Sequence, residues 1–177
     1  MTGLKRHTVQ VVDYDPAWAL LFEAEAQAIR RAAGDLSLKI EHVGSTVVPG
    51  LPAKPIVDIA IAVQTRDPIP DLARRLTVMG YMDRGDKGAD GGYILVKDSE
   101  PDVRIVHLHI VEETDIQWRR YLKFRDILRT NEPIRKQYAD LKTQLSVRFQ
   151  DDRKSYTEGK SDFIAEVLRV RNQALTP

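Results

Sequence analysis

From Ile56 to Val63 the chain runs Ile-Val-Asp-Ile-Ala-Ile-Ala-Val, an apolar stretch broken only by Asp58. A run of this length, rich in β-branched residues, marks a strand covered on both faces. A carboxylate in such a strand needs a metal ion, a basic side chain or several N–H donors, because an unpaired buried charge costs several kcal/mol. The plainer reading is an aspartate that caps the preceding loop, and the two stand side by side. That loop, Gly44 to Pro55, contains two glycines and three prolines.

The rest of the chain supplies layers for this strand. Thr8–Val12 reads as a short strand or extended arm. Asp15-Pro16 reads as a helix start, with Trp18, Leu21, Phe22, Ala26 and Ile29 at helical spacing and Gly34 as the stop. Leu38–Val43 is a strand ending at Gly44-Ser45. Pro70–Met79 is a helix, residues 81–98 form a glycine-rich hairpin region with Tyr93–Val96 its clearest strand, and Val103–Val111 is a further strand. After Asp115 the pattern is helical: one helix to about Arg129, one over Pro133–Phe149 and a last one to about Leu175. The expectation is a single α/β domain over residues 1–177, with a mixed central sheet flanked by helices (core about 8–111) and a tail of about three helices (about 115–175).

Composition narrows the chemistry. The chain has no cysteine, which removes disulfides, thiolate zinc sites and cysteine nucleophiles. A formal net charge of +1 does not call for nucleic acid or an anionic membrane. Residues 112–177 are mildly basic, with 14 basic against 11 acidic side chains. No stretch approaches the roughly 20 apolar residues of a membrane span, and no apolar run opens the chain. A cytoplasmic protein is expected, with its oligomeric state open.

Several residues carry candidate chemistry. A strand ending in Gly44-Ser45 presents backbone N–H groups and a hydroxyl suited to phosphate oxygens. His107 and His109 are two apart on a strand and share a face; they could bind a metal with Asp58, donate to phosphate, act in proton transfer, or be structural. His42 lies near the loop, whereas Glu41 is expected on the opposite strand face and outside the site. Arg125 follows the stripe Trp118, Tyr121, Leu122 by helical spacing, and Lys160 follows Tyr156 by four residues, so both should face inward. Internal salt bridges or a bound polyphosphate would satisfy them. Lys54 in the loop could join them. Gly159-Lys160 lacks the surrounding glycine pattern of a Walker loop.

The segment His42-Val-Gly-Ser-Thr-Val-Val-Pro-Gly-Leu-Pro-Ala-Lys-Pro-Ile-Val-Asp-Ile, together with Asp13-Tyr-Asp-Pro-Ala-Trp, His107-Leu-His, Phe124-Arg-Asp-Ile-Leu and Tyr156-Thr-Glu-Gly-Lys, resembles the GrpB family over nearly the whole chain. The resemblance implies a nucleotidyltransferase-like fold of the polymerase-β superfamily, and a relation to domains fused behind dephospho-CoA kinase. It implies phosphate binding at Gly44, Ser45 and Thr46, and a divalent Mg2+ or Mn2+ at Asp58. The superfamily pattern is Asp-x-Asp with a third carboxylate nearby, holding two metals. Here the second position is Ala60, so one metal has lost a ligand. Three readings follow: a nucleotide- or phosphate-binding protein with possible nucleotidyl or phosphoryl transfer, a non-catalytic accessory module linked to coenzyme A, and a metal-dependent hydrolase using His107, His109 and Asp58.

Overall fold

A computed structural model describes residues 2–88 and 91–173, with side chains as far as Arg169. The strands are β1 (Leu4–Lys5), β2 (Leu38–Val43), β3 (Val57–Val63), β4 (Tyr81–Asp86), β5 (Tyr93–Glu100) and β6 (Val103–Glu112). They form one sheet in the order β2-β3-β6-β5-β4, with β1 added alongside β6. Only β3 and β6 run parallel; the other pairs are antiparallel. The expected mixed sheet is therefore present, and β3, with β2 on one side and β6 on the other, is internal.

Alternation along β3 divides the core in two. Val57, Ile59, Ile61 and Val63 point to the face covered by α1 (Ala17–Ala33) and α2 (Ile69–Val78), and pack with Leu108 and Ile110 of β6, with Trp18 and Ile29, and with Leu72 and Leu76. Ala60 and Ala62 point the other way, with Val43, Val111 and Trp118 of α3 (Ile116–Thr130). The small alanines leave room for the indole, and this makes an otherwise uniform apolar run two-sided.

The helical C-terminal part differs in one respect from the expected three helices. After α3 and α4 (Glu132–Arg148), the last stretch divides into α5 (Arg153–Glu158) and α6 (Ser161–Gln173). Gly159 sits at the division, and a Cβ there would lie 2.7 Å from Leu145 Cδ2 of α4. Close approach to α4, more than backbone freedom, explains the glycine. Positions 174 and 175, to which the last helix was expected to run, lie outside the described residues.

Other differences are local. Thr8–Val12 is an arm whose one sheet-like contact is Val12 with Ala53, while the short β1 was missed. Helix α1 begins one residue after Pro16, and Asp15 Oδ1 accepts from Ala17 N at 2.9 Å, as a cap would. The loop from Gly44 is unusually buried for a connection: Val48 and Leu51 pack among Phe124, Leu128 and Tyr138. The Val12–Ala53 pair adds two backbone hydrogen bonds to it, 2.9 Å in each direction. A loop held on both flanks in this way is a wall, not a flap.

A cation-lined candidate site

The parallel register of β3 and β6 sets Asp58 beside His107 and Ala60 beside His109, all on the helix-covered face with α3. The cleft at this end of the sheet is about 350 Å³ and includes Gly44, Ser45, Thr46, Lys54, Asp58, His107, His109 and Lys160 in its lining. Eight of the ten residues singled out in the sequence are thus gathered in one place. His42 and Arg125 are not among the lining residues.

Strand parity explains both exceptions. His42 pairs with Ile59 and so faces α1, where its ring stacks on Phe22 at 4.8 Å between centroids. Burial lowers its pKa to about 4, so the ring is neutral, and Nε2 meets Thr46 Oγ1 at 2.9 Å. Its role is to support the loop from behind. Glu41 pairs with Ala60 and lies on the site's face, the reverse of the expectation. It receives Arg125 Nη1 at 2.6 Å, and Arg125 also bonds Asp126 and the His42 carbonyl. Arg125 is inward-facing as expected, but carboxylates already satisfy it. One residue of parity moved both side chains.

Gly44 brings the loop against the aspartate. Its φ is +73°, and a Cβ there would fall 2.4 Å from Asp58 Oδ2. Glycine is required on both counts. Burial pushes the Asp58 carboxyl up, but the His107 hydrogen bond and the nearby His107, His109 and Lys54 outweigh it and bring the pKa down to about 2.

His107 links Asp58 to a residue that sequence reading missed. Its Nδ1 lies 3.2 Å from Asp58 Oδ1, and Arg153 Nη2 lies 3.3 Å from its Nε2. Guanidinium can only donate, so Nε2 accepts and Nδ1 carries the proton toward Asp58. Burial outweighs the Asp58 charge and holds the His107 pKa below its usual value, consistent with this neutral tautomer. His109 is occupied differently: Nδ1 meets the Gly91 carbonyl at 3.2 Å and the Tyr121 hydroxyl at 3.1 Å.

Four cations face the single carboxylate. Lys54 and Lys160 sit over the Tyr156 ring at 4.9 and 4.6 Å, and Lys142 over Tyr138 at 4.9 Å. Lys142 also donates to the Pro52 carbonyl of the loop. Burial, followed by repulsion from Lys160, lowers Lys54 and Lys142 to about 7. Burial likewise brings Lys160 to about 8 and lowers Arg153, in both cases against the pull of Asp58. Lys142 was open to sequence reading, since it follows Tyr138 by the same four residues that placed Lys160 after Tyr156. Arg153 carried no such signal, because its position depends on where α5 begins.

The metal triad does not assemble. Among the described residues no three His, Asp or Glu side chains are grouped to hold a metal ion. Both nitrogens of His107 are engaged, one of them by a cation. Ala60 is buried in the apolar cluster with Trp118.

An α/β domain with a mixed sheet, a glycine-led loop and a cation-lined cleft at the parallel strand pair is the class defined here. The chain belongs to the GrpB protein family, whose family model matches residues 8–170. A UPF0157 protein of Pseudomonas aeruginosa is 39% identical over 162 residues, 90% of this chain and 66% of that protein. The UPF0157 protein YqkA of Bacillus subtilis is 31% identical over 159 residues, 90% of this chain and 46% of that protein. This chain therefore spans less than two thirds of the length of these relatives. The crystal structure of conserved protein GrpB from Enterococcus faecalis matches with a TM-score of 0.82 at 37% identity, over 90% of this chain and 95% of that one. A dephospho-CoA kinase of Mycolicibacterium paratuberculosis is 33% identical over 81 residues, 44% of this chain and 20% of that protein. A structure of the Cid1 poly(U) polymerase aligns with a TM-score of 0.47 at 13% identity, too loose to carry an argument. Among the described residues no helix is long and apolar enough to cross a membrane.

Proposed function

We propose that the cleft binds a nucleotide or another phosphate-bearing small molecule, with its phosphates held by Lys54, Lys142, Arg153, Lys160 and the loop at Gly44, Ser45 and Thr46. One observation carries this reading: three lysines and an arginine converge on a cleft lined by a single carboxylate. Buried ammonium groups with lowered pKa are unfavourable until an anion joins them. A polyphosphate would restore their charge and relieve the repulsion among them. Lys160 of the Tyr-Thr-Glu-Gly-Lys segment and Gly44-Ser45 of the loop are brought to the same wall.

The residues do not fit a two-metal centre. The second carboxylate position is Ala60, and cations fill the space around Asp58. A single Mg2+ or Mn2+ on Asp58, completed by the ligand's own phosphate oxygens, is the extent that this donor set allows. The proposal is therefore a binding site first. The partial match to a dephospho-CoA kinase, and the loss of the second carboxylate, favour an accessory module as the second reading over nucleotidyl transfer. The hydrolase centred on His107, His109 and Asp58 loses its support with the metal triad.

Thermal unfolding with a panel of nucleotides, coenzyme A precursors and tripolyphosphate, with and without Mg2+ or Mn2+, tests this. A ligand at about 100 times its dissociation constant stabilises by about 2.7 kcal/mol. No shift from any phosphate compound would overturn the proposal. Asp58→Asn separates the two roles of the carboxylate. Removing the only negative charge of the lining should tighten metal-free tripolyphosphate binding about tenfold, while abolishing any additional shift given by Mg2+. Unchanged metal dependence in that variant would remove Asp58 as a ligand.

A further inference from the structure

The cleft does not end at Tyr138. A second cavity of about 350 Å³ shares Gly44, Tyr121 and Tyr138 with it, and continues between α3 and α6 past Phe124, Ile164 and Leu168. Its lining is aromatic and aliphatic, with Gln117, Arg120 and Ser161 as the polar groups. A third cavity, about 480 Å³, shares Arg120, Ala165 and Leu168 with the second and opens onto Arg119, Lys123 and Arg169. The three spaces share lining residues in series: cationic, aromatic, cationic.

The outer end gathers four cations around one groove: Arg119, Arg120, Lys123 and Arg169. Several exposed cations elsewhere pair with carboxylates, as in Arg75 with Asp71, Lys136 with Asp140 and Lys39 with Glu113. Among the described residues Arg119, Arg120 and Arg169 have no such partner, and no Asp or Glu lines the groove. Ile116, half-exposed at 50%, adds an apolar wall beside them. Guanidinium groups without carboxylates, next to an aromatic slot, suit a phosphate attached to a planar ring system.

Resting on the phosphate-binding reading of the cleft, we infer that the ligand is a nucleotide phosphorylated on both sides of its nucleoside: one phosphate group in the Lys54–Lys142–Lys160 cleft, the base in the slot of Tyr121 and Phe124, and a second phosphate on Arg119 and Arg169. A nucleoside 3′,5′-bisphosphate is the minimal molecule of this kind, and a nucleotide within a phosphodiester chain presents the same groups. The separated segments explain why no basic stripe with interleaved aromatics is visible along the sequence: α3 and α6 each supply half of it.

Calorimetric titration of adenosine 5′-monophosphate, adenosine 3′,5′-bisphosphate, a 5′-phosphorylated dinucleotide and tripolyphosphate tests the inference. The bisphosphate should bind about tenfold tighter than the monophosphate, the gain of one charge-assisted contact set. Arg119→Gln with Arg169→Gln should erase that gain and leave the monophosphate unchanged. Arg30→Gln with Arg31→Gln, on exposed positions of α1, should leave the gain intact and so separate contact from overall charge. Equal affinity of the two nucleotides in the wild type, or a gain that survives loss of Arg119 and Arg169, overturns the second subsite. Tripolyphosphate binding would continue in that event, whereas loss of all four ligands would overturn the cleft itself. A dinucleotide as tight as the bisphosphate identifies a chain as the source of the second phosphate, and a weaker one identifies the free bisphosphate.

Discussion

Gly44→Ala destabilises the free protein by about 3 kcal/mol or more, and the part of that loss due to overlap is relieved when Asp58 is also replaced by Ala. Two separate costs meet at this glycine. A left-handed backbone costs an L-residue roughly 1–2 kcal/mol whatever lies around it. The added methyl would also stand 2.4 Å from the Asp58 carboxylate oxygen, an overlap worth roughly another 1–3 kcal/mol. Asp58→Ala removes the obstacle but not the backbone strain. Urea unfolding of the wild type, both single variants and the double variant isolates the coupling. Additive losses would mean that the loop and the aspartate are not held together as the structure places them.

The second large effect is on the pH dependence of stability. Lys54 and Lys142 lie at about 7 and Lys160 at about 8 in the folded protein, against about 10.4 in an unfolded chain. Between these values the unfolded state binds more protons. Stability therefore climbs from about pH 7 or 8 toward pH 10, by up to about 1.4 kcal/mol per pH unit for each lysine. The rise should reverse above pH 10, because burial pushes Tyr121 up to about 12 and raises Tyr138 and Tyr156, which stay protonated while their unfolded counterparts ionise. Lys142→Met should flatten the slope by one lysine's share and stabilise the empty protein at pH 7, yet weaken tripolyphosphate binding at least tenfold. Saturating tripolyphosphate should flatten the slope in the wild type, with affinity falling as pH rises beyond 8. A stability curve that is level from pH 7 to 10 would show that the lysines are not buried in this way.

Much of this was legible because each signal was local. The apolar run around Asp58, the Gly44-Ser45 break and the His107–His109 spacing each depend on a few neighbouring residues, and the β2–β3 and β3–β6 registers aligned them. His42 and Glu41 were misplaced for one reason: assigning a strand face needs the partner's register, which no single strand contains, and Glu41 on the site's face is what then engages Arg125. Lys142 follows Tyr138 by the same four residues that separate Lys160 from Tyr156, so its signal was equally local. Arg153 is different in kind, since its approach to His107 depends on how α5 meets the end of β6. The division of the last helix was likewise hidden, because Gly159 is set by contact with Leu145 across the fold.

The loop that begins at Gly44 is fastened at one flank to the N-terminal arm and at the other to the late helices, and this bears on the order of assembly. The sheet and α1 and α2 can associate early, whereas the cleft exists only once distant segments such as Lys54 and Lys160 meet, and those segments repel one another. Closing such long-range contacts is slow on topological grounds alone. A phosphate anion present during refolding would neutralise the last cations to arrive and so act as a template for the wall around it. On this view the charge that fits the site for its ligand also makes its formation the final, anion-accelerated step of folding.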